Sequence, residues 1–185
     1  MGGIFALKVC VYAICKNESQ FVDRFMDSMS EADYVCVLDT GSSDDTVERL
    51  RARGAIVGET VVSPWRFDTA RNESLGLIPA DADICCAIDL DEQFHPGWRA
   101  ALERAWQPDT TRARYRYTWS FRPDGSEGMV FWADKIHKNG CYRWASPVHE
   151  TLAYTGEGAE RFVDAAGVQL DHHPDETKSR GQYLP

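Results

Sequence analysis

Short apolar runs alternate with amphipathic segments over the first 106 residues of the chain. The apolar runs are typical of buried strands, whereas the segments between them repeat apolar positions at helical spacing. The predicted strands are 8–15, 34–39, 55–62 and 83–89, and the predicted helices are 18–29, 45–54, 67–78 and 96–106. Because both faces of the strands are apolar, the pattern predicts an α/β fold with a mostly parallel central sheet flanked by helices.

The pattern changes after residue 110, where we expect a small antiparallel β portion. In "RARYRYTWSFR", 112–122, charged and aromatic residues alternate, which predicts a half-buried strand. A "PDG" turn and the apolar segment 128–137 then predict its hairpin partner. Arg112, Arg114 and Arg116 are interpreted as a solvated strand face, with contact to an anionic acceptor as the alternative. The segment 167–185 predicts a strand, a turn and the start of a helix.

Composition limits the possible functions. A chain of 185 residues is long enough for one domain with a core, and a net charge of −9 argues against general binding to nucleic-acid backbones. No apolar run is long enough to span a bilayer and no secretory signal is present, so we expect a cytoplasmic protein. The abrupt stop at Pro185 suggests that this single domain, 1–185, is the N-terminal part of a longer protein.

The six cysteines form no CxxC pair. Five of them lie in or beside apolar runs, so we expect buried thiols in a reducing compartment. A zinc site that uses His137 and Cys141 is the alternative.

Three carboxylates follow the fourth predicted strand. Asp89, Asp91 and Glu92 come directly after the apolar residues 84–88, and carboxylates this close repel one another unless a cation lies between them. Asp89 and Asp91 are within reach of one divalent ion, with positions left for phosphate oxygens. Such an ion would stabilise a diphosphate as a leaving group. Capping of the helix near Pro96 is the alternative.

Two further motifs are expected at the same edge of the sheet, because ligands bind at the carboxyl ends of parallel strands. "VLDTGSSDDT", 37–46, places Asp39 at the end of the second strand, and "RFDTARNESL", 66–75, places Arg71 and Asn72 on a short helix. Alone, the first is explained by a tight turn with a helix N-cap, and the second by a surface salt bridge with Asp68.

Taken together, the motifs resemble the family 2 glycosyltransferases of the GT-A fold, particularly the bacterial and phage branch with an "aRN" segment and an "lDaDE" turn. The matching segments are "KNE" (16–18), "DTGSSDDT" (39–46), "FDTARNESL" (67–75) and "AIDLDE" (87–92). The resemblance covers residues 8–98 and continues more loosely through "GCYRWASPVHE" and "DHHPDETKSR". It implies a Rossmann-like GT-A catalytic domain that transfers a sugar, with inversion, from a nucleoside-diphosphate sugar. A UDP-sugar is the favoured donor, and the acceptor is a glycan, protein, lipid or modified nucleic acid.

The resemblance also implies roles for residues in the first three motifs. Asn17 and Glu18 would lie beside the nucleotide, and Asp39 would face its base. Asp68 and Arg71 would flank the base and the ribose. These five residues would form the nucleotide-binding part of the site.

A metal site is implied as well. Asp91 would ligate Mn²⁺ or Mg²⁺ directly, and Asp89 would approach the metal or the ribose. A late histidine often completes the metal shell in this family, and His172 or His173 would do so. Adjacent histidines on a strand point to opposite faces, so only one of the two should serve. Surface histidines before a turn are the alternative interpretation.

An inverting transfer needs a base that deprotonates the acceptor. Glu150 in "WASPVHE" is the first candidate, with His149 as its neighbour or substitute and Glu92 as a lesser option. The acidic pair that many family members carry on a helix has no clear equivalent between residues 100 and 140. Trp144 would present a flat apolar face to a sugar ring, with an ordinary core position as the alternative.

Three other classes share parts of this pattern. A phosphotransferase with an aspartate nucleophile would carry two acids after its first strand, but "DLDEQ", 89–93, lacks the expected hydroxyl or valine. A sugar nucleotidyltransferase would show a glycine-rich basic loop after strand 1, and "AICKNESQ", 13–20, has no glycine. A non-catalytic module that binds a nucleotide or carbohydrate stays open, and nucleotide affinity without turnover would identify it.

Overall fold

The computed structural model describes residues 7–175 of the chain. The strands are β1 (Val9–Cys15), β2 (Tyr34–Asp39), β3 (Ile56–Glu59), β4 (Ile84–Ala87), β5 (Glu92–Phe94), β6 (Arg112–Thr118), β7 (Val130–Lys138), β8 (Tyr142–Ala145), β9 (Thr151–Tyr154) and β10 (Phe162–His172). The α-helices are α1 (Val22–Ser28), which follows a 3₁₀ turn at Ser19–Phe21, α2 (Thr46–Ala52), α3 (Phe67–Leu75) and α4 (Trp98–Ala105). None of the described helices is long and apolar enough to cross a membrane.

Eight strands form one sheet in the order β3-β2-β1-β4-β7-β6-β10-β5, and β8 and β9 form a separate antiparallel pair. The first four strands in that order are parallel, with Cys15 opposite Asp39 where β1 and β2 end. β1 is buried along its whole length, because alternate side chains pack into different cores. One set packs with α1, α2 and α4, and the other, which includes Cys10 and Tyr12, packs with β8 and β9. The predicted α/β fold is confirmed.

The other half of the sheet contains the antiparallel pairs. β7 is antiparallel to β4 and to β6, which confirms the predicted hairpin, and β10 is parallel to β6. These directions bring the start of β7 and the ends of β6 and β10 to the edge where β1, β2 and β4 end. The predicted last strand is present but begins earlier, at Phe162. The helix predicted after it lies outside the described residues.

Two features of this half depart from the sequence expectations. The pattern does not predict β5, a three-residue strand that pairs with the end of β10. Arg112, expected on a solvated strand face, is buried and forms ion pairs with Asp134 and Glu160. Arg114 and Arg116 are more exposed, and each is paired with a carboxylate.

All six cysteines carry free thiols, and five of them are buried, as their apolar surroundings predict. His137, one of the alternative zinc ligands, is buried against the hydroxyl of Tyr12. In the part of the chain that the structure describes, no three His, Cys, Asp or Glu side chains lie close enough to hold a metal ion by themselves.

Candidate active site

The candidate site lies at the edge of the sheet where β1, β2, β4, β6 and β10 end. Asp89 and Asp91 follow β4, Glu150 precedes β9, and His172 ends β10. These residues are far apart in the sequence, so the topology of the sheet brings them together. Arg71 reaches the same edge from α3.

Arg71 links two of the predicted site carboxylates. Its Nη2 atom is 2.7 Å from Asp89 Oδ1, and its Nε–H donates to Glu150 Oε1 at 3.3 Å. Arg71 is only 3% exposed, and its Nη1 atom is buried without a hydrogen-bond partner among the described residues. An unpartnered buried donor is costly. An acceptor oxygen of a ligand beside Asp89 would satisfy it.

Asp89 is ionised at neutral pH. Burial alone would raise the pKa of its carboxyl, but the charge and hydrogen bond of Arg71, together with the charge of Lys135, hold that pKa below its ordinary value. The side chain of Asp89 is still 34% exposed, so a ligand can reach it from solvent. Lys135 was not among the sequence candidates. No local motif marks it, and the register of β7 shifts between Ala133 and Ile136, so strand alternation does not predict where its side chain lies.

Asp91 and His172 face each other across the sheet edge. Asp91 Oδ2 is 3.2 Å from His172 Nε2, and His172 Nδ1 is 3.0 Å from the backbone oxygen of Trp119. A proton on Nδ1 donates to that carbonyl, which directs Nε2 to the site as a metal-binding atom when the ring is neutral. Burial lowers the pKa of His172, but the hydrogen bond and charge of Asp91 outweigh this effect and raise the pKa above its ordinary value.

His173 points elsewhere. Its ring stacks on Phe121 with centroids 5.0 Å apart, and only its backbone N–H contacts Asp91, at the carbonyl oxygen. Of the two adjacent histidines, His172 therefore has the geometry of a ligand.

Glu92 supports the acidic turn from within the core. Its buried carboxylate accepts hydrogen bonds from the backbone N–H of Asp89 and from the hydroxyl of Tyr117, and burial raises the pKa of Glu92. Both oxygens are occupied and shielded from solvent. The expectation that Glu92 is an alternative base is therefore corrected, and its contacts instead hold Asp89 in position.

The loops after β1 and β2 are tied together at the same edge. Asn17 Oδ1 accepts a hydrogen bond from the backbone N–H of Ser43 at 2.7 Å, and the backbone N–H of Glu18 donates to Thr46 Oγ1 at 2.9 Å. Asn17 has a φ of 53°, in the left-handed region where asparagine is more frequent than most residues. The two predicted nucleotide loops therefore form one surface.

Asp39 is buried where β2 ends. Its Oδ2 atom accepts the backbone N–H groups of Gly41 and Ser42 at 2.9 and 2.8 Å, and its Oδ1 atom accepts the hydroxyl of Ser42. The carboxylate therefore shapes the turn that follows. Contact between Asp39 and a nucleotide base requires this turn to open.

Asp68 lies in the first turn of α3. Arg66 holds its carboxylate with two hydrogen bonds, 3.1 Å from Nε and 2.7 Å from Nη2. The salt bridge considered for this segment, between Asp68 and Arg71, is replaced by the Asp68–Arg66 pair. Arg71, expected to flank the base together with Asp68, instead contacts the acidic turn.

Trp144 lies in the core. Its indole N–H donates to the hydroxyl of Tyr12 at 2.9 Å, and that hydroxyl is 2.9 Å from His137 Nε2. The side chain of Asn72 makes two hydrogen bonds with the Trp144 backbone, and the guanidinium of Arg71 lies 5.3 Å from the ring centroid. The expectation that Trp144 offers a face to a sugar is corrected, because the buried ring supports Arg71.

The segment between β8 and β9 carries the two remaining base candidates. Ser146 and His149 have φ values of 79° and 56°, which are uncommon for residues other than glycine. His149 is exposed, whereas Glu150 is held by Arg71. Backbone strain of this kind is most frequent at functional sites.

No protein-family model matches the chain, but several solved structures are similar to it. One such structure is glucosyl-3-phosphoglycerate synthase from Mycobacterium tuberculosis in complex with Mn²⁺, UDP and glucosyl-3-phosphoglycerate. It is 27% identical over 60% of this chain, with a TM-score of 0.50. The same enzyme has been solved with Mn²⁺, UDP-glucose and phosphoglyceric acid. The chain spans only 44% of that enzyme's length.

A second similar structure is that of a mycobacterial protein. The similar region spans 93% of this chain and 69% of the mycobacterial protein, at 16% identity and a TM-score of 0.60. At this identity the similarity concerns the fold alone. The strand order of the sheet and the similarity to the synthase lead to the same fold. The chain has the GT-A glycosyltransferase fold.

Proposed function

We propose that this chain is a metal-dependent glycosyltransferase that transfers a sugar, with inversion, from a nucleoside-diphosphate sugar, with a UDP-sugar as the favoured donor. The observation that carries this proposal is the convergence of Arg71, Asp89, Asp91 and His172 at one edge of the sheet. The Mn²⁺ complexes of the similar synthase with UDP and UDP-glucose support it. The resemblance of the sequence motifs to those of family 2 glycosyltransferases supports it as well.

The residues around Asp91 fit a divalent ion whose coordination the substrate completes. Asp91 and His172 supply a carboxylate and an imidazole, and Asp89, two residues before Asp91, has a partly exposed carboxylate. Because the described side chains offer no complete protein-only metal site, diphosphate oxygens and water must fill the other positions, as is common for Mg²⁺. When bound, Mn²⁺ or Mg²⁺ would stabilise the charge of the departing nucleoside diphosphate.

Glu150 is the proposed base. Arg71 holds Glu150 and Asp89 in one hydrogen-bonded group, so the base lies next to the proposed donor. In this position Glu150 accepts the hydroxyl proton of the acceptor as the hydroxyl oxygen attacks the anomeric carbon. His149 would lie at the entrance to the site.

The nucleotide is proposed to bind on the joined loops after β1 and β2. Asn17 and Glu18 would line its binding surface, with Asp39 beneath the turn and Asp68 at the start of α3. The backbone N–H groups of the turn are already bound by Asp39 and Asn17, so the metal ion and Arg71 would supply the positive charge that an anionic nucleotide needs. The opposite side of the acidic turn is then left for the acceptor.

Calorimetric titration of UDP into the protein, with Mn²⁺ and then with EDTA, tests the donor site. We expect binding that requires the metal and that weakens at least about tenfold in Asp91→Asn, because the substitution removes a charged ligand. Asp164→Asn is the matched control, since Asp164 pairs with Arg114 on the exposed surface and should leave binding unchanged. Absence of metal-dependent UDP binding in the unaltered protein would refute the proposal.

Turnover separates an enzyme from a binding module. With UDP-glucose as the donor, we expect slow release of UDP that Glu150→Gln abolishes while it retains UDP binding. If UDP binds but the protein releases UDP from none of the sugar nucleotides tested, the non-catalytic binding module would be favoured. If the Glu150→Gln variant still releases UDP, Glu150 is not the base.

A further inference from the structure

Exposed apolar side chains lie beside the proposed metal site. Trp119 follows β6, and Met129 and Phe131 lie at the start of β7. All three are exposed, Trp119 to 47%. We refer to Trp119, Met129 and Phe131 as the apolar platform. Exposed apolar surface of this kind usually marks a binding site.

The platform is joined to the site by direct ring contacts. The indole of Trp119 stacks on the imidazole of His172, with centroids 4.4 Å apart and planes at 24°. Phe131 meets the ring of Tyr117 edge to face at 5.1 Å, and the Tyr117 hydroxyl donates to Glu92 beneath the acidic turn. The platform is therefore continuous with the residues that position Asp89 and Asp91.

Strand order places the platform on the side of the acidic turn away from the nucleotide loops. Those loops follow β1 and β2, whereas the platform lies on β6 and β7, with β4 and its acidic turn between the two groups. A donor that spans the nucleotide loops and the acidic turn directs its sugar towards the platform. The acceptor has to approach from this side.

We propose that the apolar platform binds the acceptor, that the acceptor is a sugar, and that Trp119 stacks on the apolar face of its pyranose ring. This inference rests on the proposed function and specifies the substrate class of the same site. One face of Trp119 is covered by His172, so its exposed area belongs to the opposite face and the ring edge. A flat aromatic surface bordered by a few polar groups is typical of small-molecule sites, and Asp91, which lies 3.2 Å from His172, provides such a group here.

The charges of the hairpin favour a neutral acceptor. Arg114 is paired with Asp164, and Arg116 with Glu127. Their guanidinium groups are thus engaged by carboxylates. Both arginines alternate with Tyr115 and Tyr117 along β6 and lie on the face of the sheet away from the platform, so they offer an acceptor on the platform no positive charge.

Saturation-transfer NMR tests the platform, because it detects weak binding of small ligands. The probes are methyl β-glucoside, methyl β-galactoside, methyl α-mannoside and N-acetylglucosamine, with glycerol 3-phosphate and octanoate as an anionic and an acyl-chain comparison. Each is added to the full chain with UDP and Mn²⁺ present. We expect at least one sugar to bind through its ring C–H protons, with an affinity that falls about tenfold in Trp119→Ala.

Trp132→Ala is the matched control. Trp132 is 53% exposed and lies next to Phe131 on β7, but its side chain points to the other face of the sheet, across from Arg116. Sugar binding should stay within about twofold in this variant, as for most surface substitutions. An equal loss in both tryptophan variants would overturn the assignment of Trp119.

Three other results would overturn the inference. They are binding of no sugar, binding of octanoate or glycerol 3-phosphate alone, and sugar binding that Trp119→Ala leaves unchanged. UDP titration on the same samples separates this inference from the proposed function. If UDP binds with Mn²⁺ and the sugars do not, only the acceptor assignment fails. If UDP does not bind, the proposed function fails.

Discussion

Acid should destabilise the protein through His137, which is buried in the hydrogen-bonded chain that supports the site. Its Nε2 atom faces the hydroxyl of Tyr12, which accepts the indole N–H of Trp144. Tyr12 therefore donates to Nε2, and His137 Nδ1–H donates to the carbonyl of Lys138. This arrangement is satisfied only by the neutral ring, and burial lowers the pKa of His137 to about 4.

The size of the effect follows from that pKa. The unfolded chain takes up a proton near the ordinary histidine pKa of 6.5, whereas the folded chain resists it until about 4. At about 1.4 kcal/mol for each pKa unit, the free energy of unfolding should fall by about 2 kcal/mol between pH 7 and pH 5, and by about 3 kcal/mol at pH 4. His137 is 1% exposed, so water provides little screening.

Urea denaturation of the unaltered protein and of His137→Gln, at several pH values from 7 to 4, measures this contribution. Glutamine keeps a hydrogen-bonding group towards Tyr12 but does not titrate. The variant should therefore be less stable than the unaltered protein at pH 7. Between pH 7 and pH 5, the difference in unfolding free energy should shift by about 2 kcal/mol in favour of the variant. Carboxylates titrate in both proteins and cancel in the difference. A difference that stays constant within about 0.5 kcal/mol would refute the reasoning.

Two further predictions concern the carboxylates of the site. Arg71→Met should cost about 3 kcal/mol of unfolding free energy, because it leaves Asp89 and Glu150 without their buried partner. In a double-mutant cycle by urea denaturation, Arg71→Met and Asp89→Asn should together cost at least about 1 kcal/mol less than their sum, and additivity within about 0.5 kcal/mol would contradict the pairing. Burial raises the pKa of Glu92 above its unfolded value, so its ionisation weakens the fold as the pH rises through the folded pKa. As the pH rises from 4 to 7, the unfolding free energy of Glu92→Gln should therefore increase relative to that of the unaltered protein. A difference in unfolding free energy that does not change with pH would contradict this.

The parallel half of the fold is predictable from local sequence. Buried parallel strands carry near-continuous apolar runs, so β1, β2 and β4 are visible in the pattern, and the edge positions of Asp39 and Asp89 follow from them. β5 is not visible. It has three residues, and it exists because Glu92–Phe94 pairs with a segment almost 80 residues later in the chain.

Side-chain environments account for the other differences. Trp144 is amphipathic, and the pattern does not show whether its ring meets a sugar or the core. Its N–H is satisfied by Tyr12, which is 132 residues away. Strand alternation shows that His172 and His173 face opposite ways, but only the tertiary contact of His172 with Asp91 shows which one faces the site. Local patterns carry no record of such long-range partners.

The most direct test of the account is the electron paramagnetic resonance spectrum of Mn²⁺ bound to the protein together with UDP. If Asp91 and His172 hold the metal, the spectrum should show coupling to a histidine nitrogen. His172→Gln should abolish that coupling, and His173→Gln should retain it. Absence of a ternary complex, or nitrogen coupling that survives in His172→Gln and disappears in His173→Gln, would contradict the account.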